Sequence, residues 1–443
     1  MIGPPQTDYV RVFNKTSNAV VWMDNDLESP TLEPMKWTDR VPAPLASRFG
    51  NNGDFGVDWN AGRKRRIMRP QPLYTDDGQM HLLLASPMDP ATGYGYLSYK
   101  IADELGKREN LNLSMHPLAY WHVARTPRHI RDLMAQEQEV CEWALVVAIP
   151  TELPNVPARH SVLYSMWETA ELPGHDRPGD PHGNWANLIN NWAEAVIVPC
   201  EEQKEVFLAA GVTKPIYVVA IGLDSDTYYP NGAAKNDKFT IWTHGRLTSR
   251  KSPIEVLTEV VWPAIGHHDD WQLVFKTWAG ALGGGKYKPV INDGRVVLLD
   301  SGHDPMPAEE MAHRMNQAHV GVYLSKYEGW GMPFREAMAT GLVTLPSATS
   351  GHVVDCDPRY NFPVPILGTA DAGDGYDGTW DLPDYRYART CVAALYDAWK
   401  SGRWDEVKMG QEASQWIRQR RSWKQMIDGV LDVVNEVYEG VGG

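Results

Sequence analysis

Two glutamates and two cations in the C-terminal half have the types and spacing to handle a charged, hydroxyl-rich ligand. Glu328 and Glu336 lie in SKYEGWGMPFREAMATG, seven residues between them, among Gly329, Gly331, Pro333 and Gly341. Arg246 and Lys251 lie in HGRLTSRKS, which begins at His244. A carboxylate can accept two hydrogen bonds from vicinal hydroxyls such as those of a ribose. Glycines let the backbone turn sharply and approach a ligand closely. A helix with Pro333 at its first position would offer unpaired N–H groups and a positive dipole end to a phosphate. Glu336, one turn in, could reach sideways to a polyol, while Glu328, on the preceding loop, would face whatever hangs from the other end of the phosphates. Arginine grips phosphate with paired donors and lysine acts as a mobile point charge. A diphosphate with one polyol at each end suits the four together. Each piece also has a plain reading: a glutamate in a first helical turn is expected for dipole reasons alone, and loop cations are ordinarily solvated.

Both segments leave strand-like runs, FTIWTHG and VGVYLS, and the surrounding chain alternates in the same way. From His81 come HLLLASP as a strand, ATGYGY as a loop and LSYKIADELGKR as an amphipathic helix, then the strands ALVVAIP, SVLYSMW, AEAVIVPC and PIYVVAIG. EEQKEVFLAAG reads as a helix stopped by Gly211. YYPNGAAKNDK (Tyr228–Lys238) is a polar linker, after which the alternation restarts with WQLVFKTW and RVVLLD as strands and AEEMAHRMNQA as a helix. SPIEVLTEVVWPAI opens with Ser252, Pro253 and Glu255 at N-cap, N1 and N3, a capping box. Strands alternating with helices predict an α/β protein with two doubly wound parallel sheets in series, and a ligand cleft between them at the carboxyl ends of the strands. The start differs: YVRVFNKTSNAVVWMD predicts a hairpin, followed by loop-rich sequence of no assigned role. The last 40 residues read as the helices EASQWIRQRRSWKQM and IDGVLDVVNEVYEG. The expected division is 1–80, a β-rich extension; 81–230, an N-terminal acceptor domain; 231–405, a C-terminal donor domain; and 406–443, helices able to pack back on the N-terminal domain.

Composition narrows the function classes. Of 443 residues, 43% are hydrophobic and 22% charged, ordinary for a globular protein. A net charge of −14 disfavours a broad basic face for nucleic acid or anionic lipid. One basic run, GRKRRIMR (Gly62–Arg69), stands apart as a solvated loop or a phosphate contact. No apolar run reaches membrane-span length, and MIGPPQTDYVRV lacks the basic end and apolar core of a signal peptide. Four scattered cysteines without a CxxC fit a reducing, cytoplasmic setting.

GRLTSRKSP, followed about 80 residues later by LSKYEGWGMPFREAMATG, resembles the retaining GT-B glycosyltransferases of the glycogen-synthase-like, group 1 (family 4-like) superfamily. Their pattern runs roughly GRLxxxKG, then PSxxEGFGxPxxEAMAxG. Ser325, Glu328, Gly329, Gly331, Pro333, Glu336, Ala337, Met338, Ala339 and Gly341 match it. The resemblance extends from about His81 to the C terminus; in its weaker first half GLDSDTYYP (Gly222–Pro230) and the TGYG loop fit the pattern. It implies two Rossmann-like domains facing across a cleft and a metal-independent hexosyltransferase with no cofactor beyond its nucleotide-sugar co-substrate, most commonly a UDP-sugar. It further implies that Arg246 and Lys251 hold the diphosphate, Glu336 the ribose and Glu328 the donor sugar. Gly93 and Gly95 would bring backbone N–H groups to the phosphates, and Gly245, Ser325, Gly329, Trp330, Gly331 and Met332 would complete the donor loops.

The chain departs from the pattern in places. Ser252 stands where glycine is usual, which a capping role would explain, and Trp330 replaces phenylalanine. Many members carry a histidine after the strand matching SVLYSMWET; here Trp167 and Glu168 stand there. Glu168 is the candidate to contact sugar or acceptor in its place, against a plain loop acid; His116 and His122 are further candidates or ordinary polar residues. GALGGGKY (Gly280–Tyr287) has the GxxxxGK spacing, but Tyr287 replaces the hydroxyl residue a P-loop needs, so a flexible loop is expected. The tract His267-His268-Asp269-Asp270 would point its side chains apart and is not expected to hold a metal.

The chemistry implied by the resemblance is transfer of a sugar from a nucleotide diphosphate to a hydroxyl with retention. Alternatives are a sugar-nucleotide epimerase or glycan phosphorylase on the same fold, and a catalytically silent sugar-nucleotide-binding module. The acceptor is open among glycans, proteins, small molecules and hydroxymethylated DNA bases, with no integral membrane association expected.

Overall fold

The computed structural model describes residues 70–89, 92–118, 126–135, 139–174, 184–246, 248–277, 293–300, 306–373 and 375–441, and before them five strands. These are β1 (Tyr9–Asn14), β2 (Val20–Val21), β3 (Thr31–Leu32), β4 (Trp37–Pro42) and β5 (Phe55–Asp58). The chain divides into two compact units, Met1–Gln71 with His122–Val140, and Pro72–Trp121 with Cys141–Gly443. In the first unit β1 lies between β4 and β5, antiparallel to both, and β2 pairs with β3. The expected hairpin of YVRVFN with the following AVVW is therefore not formed. Both edges of β1 are taken by strands further along the chain, and period-2 patterning identifies a strand without naming its partner. The basic run Gly62–Arg69, the loop Gly280–Tyr287 and His122 lie outside the described residues.

The second unit holds both parallel sheets. The first contains β6 (Met80–Ser86), β7 (Leu111–Pro117), β8 (Trp143–Val147), β9 (His160–Tyr164), β10 (Ala195–Val198) and β11 (Ile216–Val218), in the order β11-β10-β9-β8-β6-β7. Its pairings are parallel. β6, β8 and β10 are buried along their whole length, which is why they read as unbroken apolar runs. β7 is an edge strand of mixed burial, and its sequence carries no such signal. The helix after β6 spans Gly93–Leu105, so it begins inside the stretch expected to be a loop. Thr92 caps it, its Oγ1 accepting the Gly95 N–H at 3.0 Å. A Cβ on Gly95 would sit 1.8 Å from the Asp89 carbonyl oxygen, so the loop can cross there only over glycine.

The second sheet contains β12 (Phe239–His244), β13 (Trp271–Thr277), β14 (Val296–Asp300), β15 (Val320–Tyr323) and β16 (Val343–Pro346), again parallel, in the order β14-β13-β12-β15-β16. Successive residues of β12 alternate faces: Phe239 and Ile241 join the core under the helical run from Pro253, Trp242 the core under helix Met332–Ala339. Strand order reverses between β12 and β15. Residues 245–251 and 324–331, which leave the carboxyl ends of those two strands, therefore flank the switch point, where open α/β sheets bind ligands.

The capping box expected at Ser252 is absent. Ser252 adopts a left-handed conformation (φ 50°, ψ 38°) and its side chain makes no cap bond. Its hydroxyl lies 3.0 Å from the Tyr385 hydroxyl, while Glu255 pairs with Lys326 at 3.0 Å. The positive φ gives a direct reason for glycine to suit this position. The helical run continues as Pro253–Glu255, a π-turn Val256–Val261 and Trp262–Ile265; Pro263 has no N–H to keep a regular ladder.

After β16 come the antiparallel pair β17 (Ile366–Asp371) and β18 (Thr379–Pro383), then helices Tyr385–Lys400, Glu406–Arg420 and Trp423–Val441. The last two break at Arg421–Ser422, earlier than the sequence reading placed it, where the Arg421 carbonyl accepts the Leu223 N–H at 3.2 Å. Helix Trp423–Val441 lies on helix Gly93–Leu105, with Trp423 edge-on to Tyr96 and Arg108 bonded to Asp428 at 2.6 Å. No helix among the described residues is long and apolar enough to cross a membrane.

Candidate active site

A 3-10 turn, Ser249–Lys251, presents two cations to one acid. Lys251 Nζ bonds Glu328 Oε1, and Arg250 Nη1 lies 3.1 Å from Glu328 Oε2. Glu328 is 4% exposed. Burial alone would raise its pKa, but Lys251 and Arg250 hold it well below the usual carboxylate range. Arg250 also donates to the Tyr327 carbonyl at 2.5 Å and, through Nη2, to Glu168 Oε1 at 2.5 Å. Burial works against its charge, and Glu328 and Glu168 outweigh that. Sequence reasoning missed Arg250, because only the fold shows that it, and not just Lys251, meets the acid. Arg246 is exposed on the same loop, close enough to Tyr376 to act on its phenol electrostatically.

Glu336 lies on helix Met332–Ala339, which starts after Gly331; Pro333 is its second residue, not its first. The buried carboxylate puts Oε2 3.2 Å from His244 Nε2. Tyr96 and Tyr99, from the helix after β6, have hydroxyls pushed up in pKa by burial, with Glu336 adding to the effect. The acid is thus within electrostatic reach of the other lobe. Gly331 has φ 89°, and a Cβ there would lie 2.3 Å from His352 Nε2. His352 itself is buried, which pushes its pKa down to about 3 and keeps it neutral at physiological pH. Behind this turn Arg335 stacks on Trp330, 3.6 Å from the ring centroid, donates to the Gly351 carbonyl at 2.7 Å and pairs with Asp355 at 2.5 Å. Neither His352 nor Arg335 was singled out in the sequence; nothing in their local spacing could have done so.

The remaining residues singled out from the sequence lie as follows. Glu168 comes from the first lobe and accepts from the Tyr376 hydroxyl at 2.9 Å through Oε2, while its carbonyl accepts from Trp380 Nε1 at 3.0 Å. Gly329 packs against Met166, where a Cβ would come within 2.7 Å of Cγ. Gly245 (φ 141°) donates its N–H to the Lys276 carbonyl at 3.1 Å. The Ser325 carbonyl accepts from Ser347 Oγ at 2.6 Å, Trp330 is buried, and Met332 opens its helix. Gly93 opens the helix after β6, and the Gly95 N–H is committed to the Thr92 cap. His116 is half-buried on β7. In the His267–Asp270 tract, His268 stacks on Tyr396, and Asp270 binds Lys400 and the Tyr396 hydroxyl.

No protein-family model matches the sequence, and no curated protein does. Solved structures match in fold. HepE from Anabaena in complex with UDP and glucose aligns with a TM-score of 0.58 at 12% identity, over 81% of this chain and 100% of that one. Sucrose-phosphate synthase from Thermosynechococcus elongatus aligns with 0.57 at 16%, over 81% and 99%. A glycosyltransferase from Rickettsia africae ESF-5 aligns with 0.57 at 12%, over 81% and 98%. Identities this low speak for architecture alone. From Rossmann-like sheet to Rossmann-like sheet, the chain has the GT-B fold of these glycosyltransferase structures.

Proposed function

We propose that the protein is a retaining, metal-independent glycosyltransferase that moves a hexosyl group from a nucleoside diphosphate donor, a UDP-sugar, to an acceptor hydroxyl. The observation that carries this reading is the convergence of Lys251, Arg250 and Glu328 on two loops at the switch point of the second sheet, with Glu336 one helical turn further on. HepE, which shares the fold, was also crystallised with UDP-glucose. In this reading Lys251 and Arg246 neutralise the departing diphosphate beside the helix that opens at Met332. Glu336 holds the ribose, and Glu328, kept ionised by its two cations, holds hydroxyls of the sugar. Glu168 bounds the acceptor side. The acceptor oxygen attacks from the face the diphosphate leaves, and the leaving oxygen takes its proton. Catalysis is then mainly stabilisation of charge on the phosphate.

A panel of UDP- and GDP-sugars, scored for nucleotide release with and without saccharide, protein and hydroxymethylated-DNA acceptors, tests this. Lys251→Met should cut turnover by about 10²–10³-fold. Glu328→Gln should lower turnover more than donor binding, and Glu336→Gln should weaken nucleotide binding. Wild-type turnover in both glutamate variants, or saturable nucleotide binding without release from any donor, would refute the assignment. A steep fall of acceptor affinity with salt would support a nucleic-acid acceptor, and indifference to salt would remove it.

A further inference from the structure

His244 ends β12, and Trp242, two residues earlier, presents its side chain to the same face of the sheet. Trp242 Nε1 lies 2.9 Å from His244 Nδ1. An indole N–H can only donate, so Nδ1 must be the nitrogen with the lone pair. The neutral ring then carries its proton on Nε2, 3.2 Å from Glu336 Oε2, and donates it to the carboxylate. Tyr323 adds its hydroxyl on the Nδ1 side at 3.1 Å. Burial keeps the ring neutral: it lowers the pKa of His244, and Lys276 and Lys251 act in the same direction against Glu336. Side-chain exposure of His244 is 5%, so water does not compete for these bonds.

We infer that His244 is a positioning residue for Glu336, its tautomer fixed by Trp242, and that this directed chain from the sheet interior sets the plane in which Glu336 meets the ribose of the donor. The inference rests on the nucleotide reading above. Anchoring Oε2 stops the carboxylate from rotating, and a carboxylate must hold its plane to accept from two neighbouring hydroxyls at once. Neither Trp242 nor His244 needs to touch the donor.

The test is calorimetric binding of UDP, GDP and their 2′-deoxy counterparts to the full chain. Wild type should prefer the ribonucleotide. His244→Phe should weaken ribonucleotide binding about tenfold, the scale of one hydrogen bond to a charged group, and leave the deoxy affinity nearly unchanged. His244→Gln keeps a donor near the Nε2 position and should restore most of the preference. An equal loss for ribo and deoxy forms, or no loss for either, would overturn the inference while leaving nucleotide binding intact. Wild type binding none of the four would overturn both readings. A readout that needs no variant is the ¹⁵N spectrum of the wild-type imidazole: a proton on Nε2 alone supports the chain, and a proton on Nδ1 at neutral pH refutes it.

Discussion

Glu328 is an acid kept ionised against its own burial, and the consequence is measurable at the level of that residue. Its folded pKa lies below the ordinary 4.5. Such a group contributes stability in full above the ordinary value and loses it as pH falls through the folded one. Glu328→Gln should therefore destabilise the protein at pH 7 by about 3 kcal/mol, because Lys251 and Arg250 lose a buried countercharge. In urea titrations the gap to wild type should narrow as pH drops below about 4.5, since the unfolded chain then takes up a proton on Glu328 that the folded, still ionised acid does not. A gap that stays constant into acid would show that the folded pKa of Glu328 is not held below the ordinary value. Arg250 shows how one side chain can serve two acids: its guanidinium reaches Glu328 and Glu168 with different nitrogens, which an ammonium in the same place could not do.

At the scale of elements, the two loops at the switch point are shaped by backbone conformations that the sequence signals only through residue type. Gly331 is required twice over, by its φ of 89° and by the His352 ring against it. Gly331→Ala should cost about 1–2 kcal/mol for the left-handed backbone, plus a steric cost. The double variant with His352→Ala should recover only the steric part in thermal or urea denaturation; complete recovery would show that the backbone places no demand on this position. Ser252 teaches the converse. Serine, proline and glutamate spell a capping box, yet the left-handed backbone turns the hydroxyl towards Tyr385, and Glu255 finds Lys326 instead. Local chemistry proposed one partner for each side chain, and packing supplied better ones.

On the scale of the whole molecule, the two lobes are joined through the elements that frame the site. Gln203 donates to Ser350 Oγ at 3.3 Å, the Ala170 N–H to the Thr379 carbonyl at 3.2 Å, and Arg250 pairs with Glu168. Arg250 thus links Glu328 to Glu168 of the opposite lobe, while β18 reaches the 168–172 segment separately, through the Thr379 carbonyl and Trp380 Nε1. Glu168→Gln removes the charge from that link but leaves the backbone bond to Trp380. Amide exchange at residues 168–172 and 376–380 should speed up several-fold while the strands β12, β13 and β15 keep their protection. Unchanged exchange would mean that the ion pair does not hold the lobes together.

By itself the sequence determined the two runs of alternating strands and helices, the glycine-rich turns and the acids and cations on them, because periodicity and turn chemistry are written in neighbouring residues. β7 and β16 were not legible in the same way: β7 mixes buried and exposed positions, and β16 is only four residues long, while the equally peripheral β11 and β14 could be read. Only the tertiary structure decided which side chains meet. Lys251 and Glu328 are 77 residues apart, Arg250 and Glu168 82, and His244 and Glu336 92. Such pairs are set by the order in which strands enter a sheet and by how two lobes close on one another, and no local pattern in the chain encodes either.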